Sequence, residues 1–396
     1  MVSLVAVSAA GPPSVPLGSA RLRLVEPSEV AAALAASLSG GPPIAPLPAD
    51  PIERARAITM LHPEQPVVEA DAAVVVATSG STGAPKGVVI SRAALRASVE
   101  ATHARLGGAG DWALALPPYY IAGLMVCARA SLGGTRAVLV RSDLSDLPTV
   151  VGTLSERRYT SLVPAQLDQA LQRVEMIEAL ASFSTVLVGG GPTDVDLIQR
   201  ALALGIRVVT TYGMSETCGG CVYNGEPLQG VAVDLSGNGR ILIKSATLFA
   251  AYRLRPELTA EALVDGKFRT QDRGRWDGGR LLVLGRLDDL VITGGHKVDL
   301  ADVEQAAQRW AAQHGAHGAV LGIPDPVWGT TIIAVSDSPG SLEDLQAVVR
   351  QSLPAYAVPR ELIYLDQLPS LANGKPDRVA IRSMIMNVRR ERQATA

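Results

Sequence analysis

The chain has 396 residues, with 36 Lys and Arg against 38 Asp and Glu, a net charge of −2, and a composition that is 47% hydrophobic and 19% charged. That is the balance of an ordinary globular protein; with no surplus of positive charge, nucleic acid and membrane surface are excluded as default partners. Three cysteines, Cys127, Cys218 and Cys221, are too few for a disulfide scaffold, so the expected setting is a reducing cytoplasm.

The first twenty residues carry no charged side chain but lack the basic leader of a signal peptide, and Pro12, Pro13 and Pro16 break any helix there. An early strand or a loosely held terminus is expected. Residues 39–66, rich in Gly, Pro and Ala, read as a connector. The valine-rich run Ala72 to Thr78 predicts a buried strand, followed after a Gly/Ser/Thr loop by a short strand Val88 to Ile90. Ser91 is placed to cap a helix running towards Leu106. The uncharged stretch Trp112 to Ala128 is shorter than a membrane span and contains Pro117 and Pro118, so no transmembrane segment is expected.

Thr185 to Val188 predicts a buried strand entering Gly189-Gly190-Gly191-Pro192, then a helix from Asp194 to Leu204 and a strand from Val208 to Thr211. Such a β-α-β unit implies a parallel sheet, whose ligands sit at the carboxyl ends of its strands. The loop Gly189 to Gly191 and the segment Tyr212 to Glu216 would both lie at that edge. The last hundred or so residues predict a separate small α+β unit: a strand pair around Arg280 to Val298, a helix with Leu300, Val303, Ala307 and Trp310 on one face, then strand, helix, strand. The fold expected is therefore α/β, a large N-terminal domain over 1–287 with layered, mostly parallel sheets and helices, and a small mobile C-terminal α+β domain over 288–396.

The loop Thr78-Ser79-Gly80-Ser81-Thr82-Gly83-Ala84-Pro85-Lys86-Gly87 joins hydroxyls, glycines and one lysine between two strands. Glycines admit backbone N–H groups to phosphate oxygens, hydroxyls add donors, and lysine adds a point charge. A Walker A loop has Gly before the lysine and Ser or Thr after it; here Pro85 and Gly87 stand there. Cys218-Gly219-Gly220-Cys221 is a CxxC without further ligands, and His314 and His317 near a helix end read as exposed, so neither is taken as a metal site.

Thr78 to Gly87 resembles the phosphate-loop signature of the acyl-CoA synthetase and adenylation-domain superfamily. Three later segments resemble its other motifs in the same order: Tyr212 to Thr217, then Gln271-Asp272 with Gly285 to Asp289, then Asn373-Gly374-Lys375-Pro376. The resemblance covers roughly residues 70–380. It implies an enzyme that uses ATP, Mg2+ and coenzyme A to activate a carboxylic acid as an acyl-AMP and pass it to the thiol. Lys86 and the Ser79 to Thr82 hydroxyls would hold the β- and γ-phosphates, with Thr78, Gly80 and Gly83 in the same loop. Ser215, beside Gly213, would touch the α-phosphate, and Glu216 would hold magnesium. Tyr212 would cover the adenine opposite Gly189, Gly190 and Gly191, while Asp272 and Arg286 would reach the ribose. Lys375 would be the catalytic lysine of the moving domain, Asp288 its hinge, and Gly295, with His296 and Lys297, part of the pantetheine tunnel.

Leu116 to Gly123 and Thr160 to Leu167 are similar to the o-succinylbenzoate–CoA ligase group, as is the short segment ahead of the phosphate loop. Tyr120, Gln166 and Met214 would then line the acid pocket, with the Tyr120 phenol or Gln166 amide donating to the carboxylate that is not activated. The alternatives are another acyl- or aryl-CoA ligase, an adenylation enzyme that loads a carrier protein, and a nucleotide-binding protein without catalysis. Small-molecule partners are implied throughout, and homo-oligomerisation is left open.

Overall fold

A computed structural model describes residues 20–78, 85–369 and 376–395. The first nineteen residues, Ser79 to Ala84 and Ser370 to Lys375 lie outside the described residues, so the expectations for the terminus, for most of the phosphate loop and for Lys375 fall there.

The valine run forms a strand, Ala72–Thr78, antiparallel to Lys86–Ser91 and parallel to Ile44–Pro46. Successive side chains alternate between two cores: Val74 and Val76 join Leu34, Leu95 and Ile90, whereas Val75 joins Ala57, Leu61 and Val89. A strand covered on both faces needs apolar residues at every position, which is why this run shows no alternation. Ser91 accepts a hydrogen bond from the Ala94 N–H at 3.0 Å and starts the helix Arg92–Leu106, as expected. The connector expectation for residues 39–66 is corrected. Ile44–Pro46 is an inner strand, and Pro51–Leu61 is a helix whose cap, Asp50, accepts from Ile52 and Glu53 N–H groups with Pro51 in the first turn. Proline at that position loses no helical bond, so the Pro-rich stretch started a helix rather than preventing one.

The second sheet has seven strands. Ala137–Leu139, Asp111–Leu114, Arg158–Leu162, Thr185–Gly189 and Val208–Met214 run parallel, and Gly219–Tyr223 and Glu226–Pro227 add an antiparallel edge. The β-α-β unit is present: Asp194 caps the helix Val195–Ala203, and Gly189 stands in register with Thr211. Antiparallel strands Val231–Leu235, Arg240–Ser245 and Lys267–Asp277 build a third sheet.

Arg280–Arg286 belongs to that third sheet, paired with Lys267–Asp277, and not to the C-terminal unit as expected. The C-terminal sheet begins with the hairpin Leu290–Thr293 and His296–Asp299 and continues through Gly329–Ser336, Gly318–Asp325 and Glu361–Tyr364. Its helix Leu300–Gln313 buries Leu300, Val303, Ala307 and Trp310, the face read from the sequence. The architecture is α/β, with a large N-terminal part and a smaller C-terminal α+β part.

Candidate active site

Two groups of polar side chains gather where the carboxyl ends of the parallel strands meet the phosphate-loop strand. At one end, Glu216 follows the strand Val208–Met214 in a short 3-10 turn, Ser215–Thr217, that is tied by the Met214 N–H donating to Thr217 Oγ1 at 2.9 Å. Glu216 is only 7% exposed, and Ser215 beside it is equally buried. Lys86, the first residue of the outgoing strand, brings Nζ to 3.1 Å from Glu216 Oε1. The Thr78 hydroxyl donates to the Lys86 carbonyl at 3.1 Å and closes the base of the loop. Sequence reading missed Tyr252, whose hydroxyl stands between Lys86 and Glu216.

At the other end, Tyr212 donates its hydroxyl to Asp272 Oδ2 at 2.8 Å. Burial first and the Asp272 charge second push the Tyr212 phenol up, so it stays a donor. Arg286 reaches Asp272 Oδ1 at 3.5 Å and grips Asp288 through two bonds of 2.8 and 2.9 Å. Thus Tyr212, Asp272, Arg286 and Asp288, drawn from three sequence segments, form one cluster. Gly189 packs against it from the neighbouring strand: a Cβ there would come within 2.2 Å of Thr211 Oγ1, so only glycine fits. Gly213 is held as tightly, its missing Cβ 2.0 Å from the Gly219 carbonyl. Gly190 and Gly191 continue the loop beyond Gly189. Gly295 sits apart, in the turn between Thr293 and His296, with open space where a Cβ would stand.

Two of the expected pocket residues have their donors engaged within the protein. The Gln166 amide donates to the Ala115 carbonyl at 3.1 Å and the Ser142 carbonyl at 3.0 Å, while its oxygen accepts from Val163 N–H. Both N–H groups are spent on backbone, so Gln166 has none for a ligand carboxylate. Tyr120 donates its only hydroxyl proton to Glu53 Oε2 at 2.8 Å, and burial followed by Glu53 raises that phenol. A carboxylate brought there would face another carboxylate. Met214 ends its strand, partly buried against the core.

Arg129 is a buried charge that the sequence reading passed over. It is 4% exposed in the helix Ile121–Gly133, and its contacts among the described residues are with an aromatic ring and a hydroxyl rather than a carboxylate. Its guanidinium lies over Trp112 at 5.1 Å from the ring centroid, its Nη2 is 3.5 Å from the Tyr223 hydroxyl, and its Nε is buried without a hydrogen bond. A Cβ on Gly219, three residues beyond Glu216, would lie 4.0 Å from Nη2 and 3.2 Å from Met125. His103 adds no second cation, since burial first and the Arg129 charge second hold its imidazole below the usual range. The available signal was a lone charge on an otherwise apolar helix.

Burial pushes the Cys221 thiol up to about 12 and Cys218 higher still, and among the described residues no cluster of three metal-ligating side chains occurs. Glu216 alone suits a magnesium ion that brings phosphate oxygens and water as its other ligands, because such ions take only one or two protein carboxylates.

Paired charges at a strand-end crevice, one cluster fit for phosphates and the other for a sugar, define a nucleotide-using α/β enzyme. The AMP-binding enzyme model matches residues 15–245 and the AMP-binding enzyme C-terminal domain matches 302–375. The chain belongs to the AMP-binding enzyme family. It is 45% identical over 329 residues to a "Probable 2-succinylbenzoate–CoA ligase" of Mycobacterium tuberculosis, covering 79% of this chain and 85% of that protein. A 2-succinylbenzoate–CoA ligase of Bacillus pumilus is 31% identical over 339 residues, covering 78% and 68%. Among solved structures, an o-succinylbenzoate–CoA synthetase of Bacillus subtilis with its acyl-adenylate intermediate shares the fold at a TM-score of 0.71 and 26% identity, over 89% of this chain and 80% of that one.

Proposed function

We propose that this chain uses ATP to convert o-succinylbenzoate into its acyl-AMP and then into the coenzyme A thioester, a step of menaquinone biosynthesis. The observation that carries the reading is that Lys86 meets Glu216, and Asp272 and Arg286 meet Tyr212, at the carboxyl end of the one strand Val208–Met214. In the first half-reaction an oxygen of the acid's carboxylate bonds to the α-phosphorus and pyrophosphate leaves. In the second, the coenzyme A sulfur bonds to the acyl carbon and AMP leaves.

The phosphate-end residues meet the problem that two anions must approach each other while charge gathers on the departing phosphates. Lys86, with Thr78 and the loop from Ser79 to Gly83, is assigned to the β- and γ-phosphates, and Ser215 to the α-phosphate. Magnesium, held by Glu216 when it arrives with the nucleotide, supplies further neutralisation. Asp272 and Arg286 are assigned to the ribose and Tyr212 to the adenine. Lys375 adds a cation during adenylation only. Asp288 is the hinge between domains over 1–287 and 288–396, which frees the Gly295 turn to take part in the thiol step. A cytoplasmic setting belongs to this proposal; the three thiols are buried and unpaired and need no oxidising compartment.

Arg129 is assigned to the second carboxylate of the acid. A buried guanidinium without an anion is costly, and so is a buried carboxylate without a cation, so each relieves the other. The test compares pyrophosphate release and kcat/KM for o-succinylbenzoate, 4-phenylbutyrate and a medium-chain fatty acid, with and without coenzyme A. o-Succinylbenzoate should be preferred about a hundredfold or more over the analogue lacking its carboxylate. Equal use of the three acids would remove the substrate assignment, and turnover without a coenzyme A requirement would remove the acceptor.

A further inference from the structure

Tyr252 lies on a two-residue strand, Ala251–Tyr252, set against the phosphate-loop strand with Tyr252 opposite Val88. Its hydroxyl accepts a hydrogen bond from Lys86 Nζ at 2.9 Å and donates one to Glu216 Oε1 at 2.8 Å. The ammonium also stands 4.1 Å from the centroid of the same ring. The direction of this chain of bonds is fixed by chemistry. An ammonium has only donors and an ionised carboxylate only acceptors, so a phenol with one proton and free lone pairs is the group that joins them.

The backbone around the ring leaves it little choice of position. Phe249 N–H donates to the Glu216 carbonyl at 2.9 Å, and Arg253 N–H donates to the Gly87 carbonyl at 2.8 Å. Tyr252 N–H donates to Thr259 Oγ1 at 2.9 Å, and the Phe249 ring packs 4.7 Å from the tyrosine ring. The tyrosine is 5% exposed. One short segment therefore spans the two halves of the phosphate end and presents a single oxygen to both charges.

We propose that Tyr252 is a positioning residue for the nucleotide–metal complex: it holds Glu216 in the orientation that receives the cation and keeps Lys86 beside Glu216 until a polyphosphate draws the lysine away. The exchange conserves charge pairing. Lys86 would leave a carboxylate for a phosphate and Glu216 an ammonium for the incoming cation, while the Tyr252 hydroxyl goes on donating to Glu216 Oε1. The inference rests on the assignment of Glu216 to magnesium made above.

The experiment is calorimetric binding of ATP to the full chain, with magnesium titrated and with EDTA, for the native protein, Tyr252→Phe, Glu216→Gln and the double variant. Tyr252→Phe removes one oxygen and keeps the ring over which Lys86 lies, so a thermal melt within a few degrees of native checks the packing. The magnesium concentration for half-maximal ATP binding should rise about tenfold in Tyr252→Phe, as expected for a lost bond to a charged group. In EDTA the two should differ by less than twofold, and in the Glu216→Gln background the Tyr252→Phe change should also cost less than twofold. Equal weakening with and without magnesium, or in both backgrounds, would overturn the positioning role. Unchanged magnesium dependence would do the same. If native protein binds ATP equally well with magnesium and with EDTA, the Glu216 assignment itself fails, which is a separate outcome.

Discussion

The two ends of the crevice treat charge in opposite ways. At the nucleotide end every named charge has a partner: Lys86 with Glu216, and Arg286 with Asp272 and Asp288. At the end proposed for the acid, Arg129 is buried with an aromatic ring and a tyrosine hydroxyl for company but no carboxylate among the described residues. Paired charges make an end that is stable when empty and that exchanges partners when a ligand arrives. An unpaired buried cation is a standing cost that one class of ligand removes, so it selects for an anion. On the proposed assignment, the nucleotide end serves turnover and the acid end discrimination.

The sharpest way to break this contrast is at Lys375, the cation assigned to the nucleotide end by its place in the Asn373 to Pro376 segment. Lys375→Ala should slow acyl-AMP formation by about a hundredfold to a thousandfold, the usual cost of one preorganised charge. It should leave conversion of supplied acyl-AMP to thioester near native. Equal loss in both half-reactions, read by rapid quench, would end the division of labour. Arg129→Met, which keeps an unbranched apolar side chain over Trp112, sharpens the acid end. The ratio of kcat/KM for o-succinylbenzoate over 4-phenylbutyrate should collapse about a hundredfold, mostly through the dicarboxylate. A variant that loses both acids alike would show that Arg129 only packs.

Asp288 belongs to the nucleotide end, where two nitrogens of the Arg286 guanidinium hold it. Asp288→Pro fixes φ and removes that grip, so thioester formation should fall about tenfold or more while adenylation continues. Single-turnover measurement of each half-reaction checks it, and a variant normal in both would remove the hinge.

The smallest effect is expected away from both ends, at Asp111. Burial alone would raise its carboxyl, but the Arg136 and Ser155 N–H groups and the Arg136 guanidinium hold it at about 2. A carboxyl lowered in the folded state lends stability above its unfolded value and loses it as pH falls through the folded one. The melting temperature should therefore drop from about pH 4 to about pH 2. Asp111→Asn should melt lower than native at pH 7 and approach it at low pH; parallel curves would disprove the linkage.

The strand Ala72–Thr78, the cap Ser91, the β-α-β unit from Thr185 and the buried face of Leu300–Gln313 were all legible in the sequence, because local patterning and capping chemistry decide them. The ordered motifs likewise marked Lys86, Tyr212, Glu216, Asp272 and Arg286. Tertiary structure decided which charges answer one another. Tyr252 lies 166 residues from Lys86 and 36 from Glu216, a juxtaposition that no local pattern encodes. The segment before Pro66 became strand and helix because Asp50 and neighbouring strands supplied the bonds that a Pro-rich composition conceals. Gln166 and Tyr120 looked like ligand donors in sequence, but the folded chain gave their hydrogens to backbone and to Glu53. A side chain's type is written in the sequence, whereas the partners that remain available to it depend on what folding has already brought within hydrogen-bond distance.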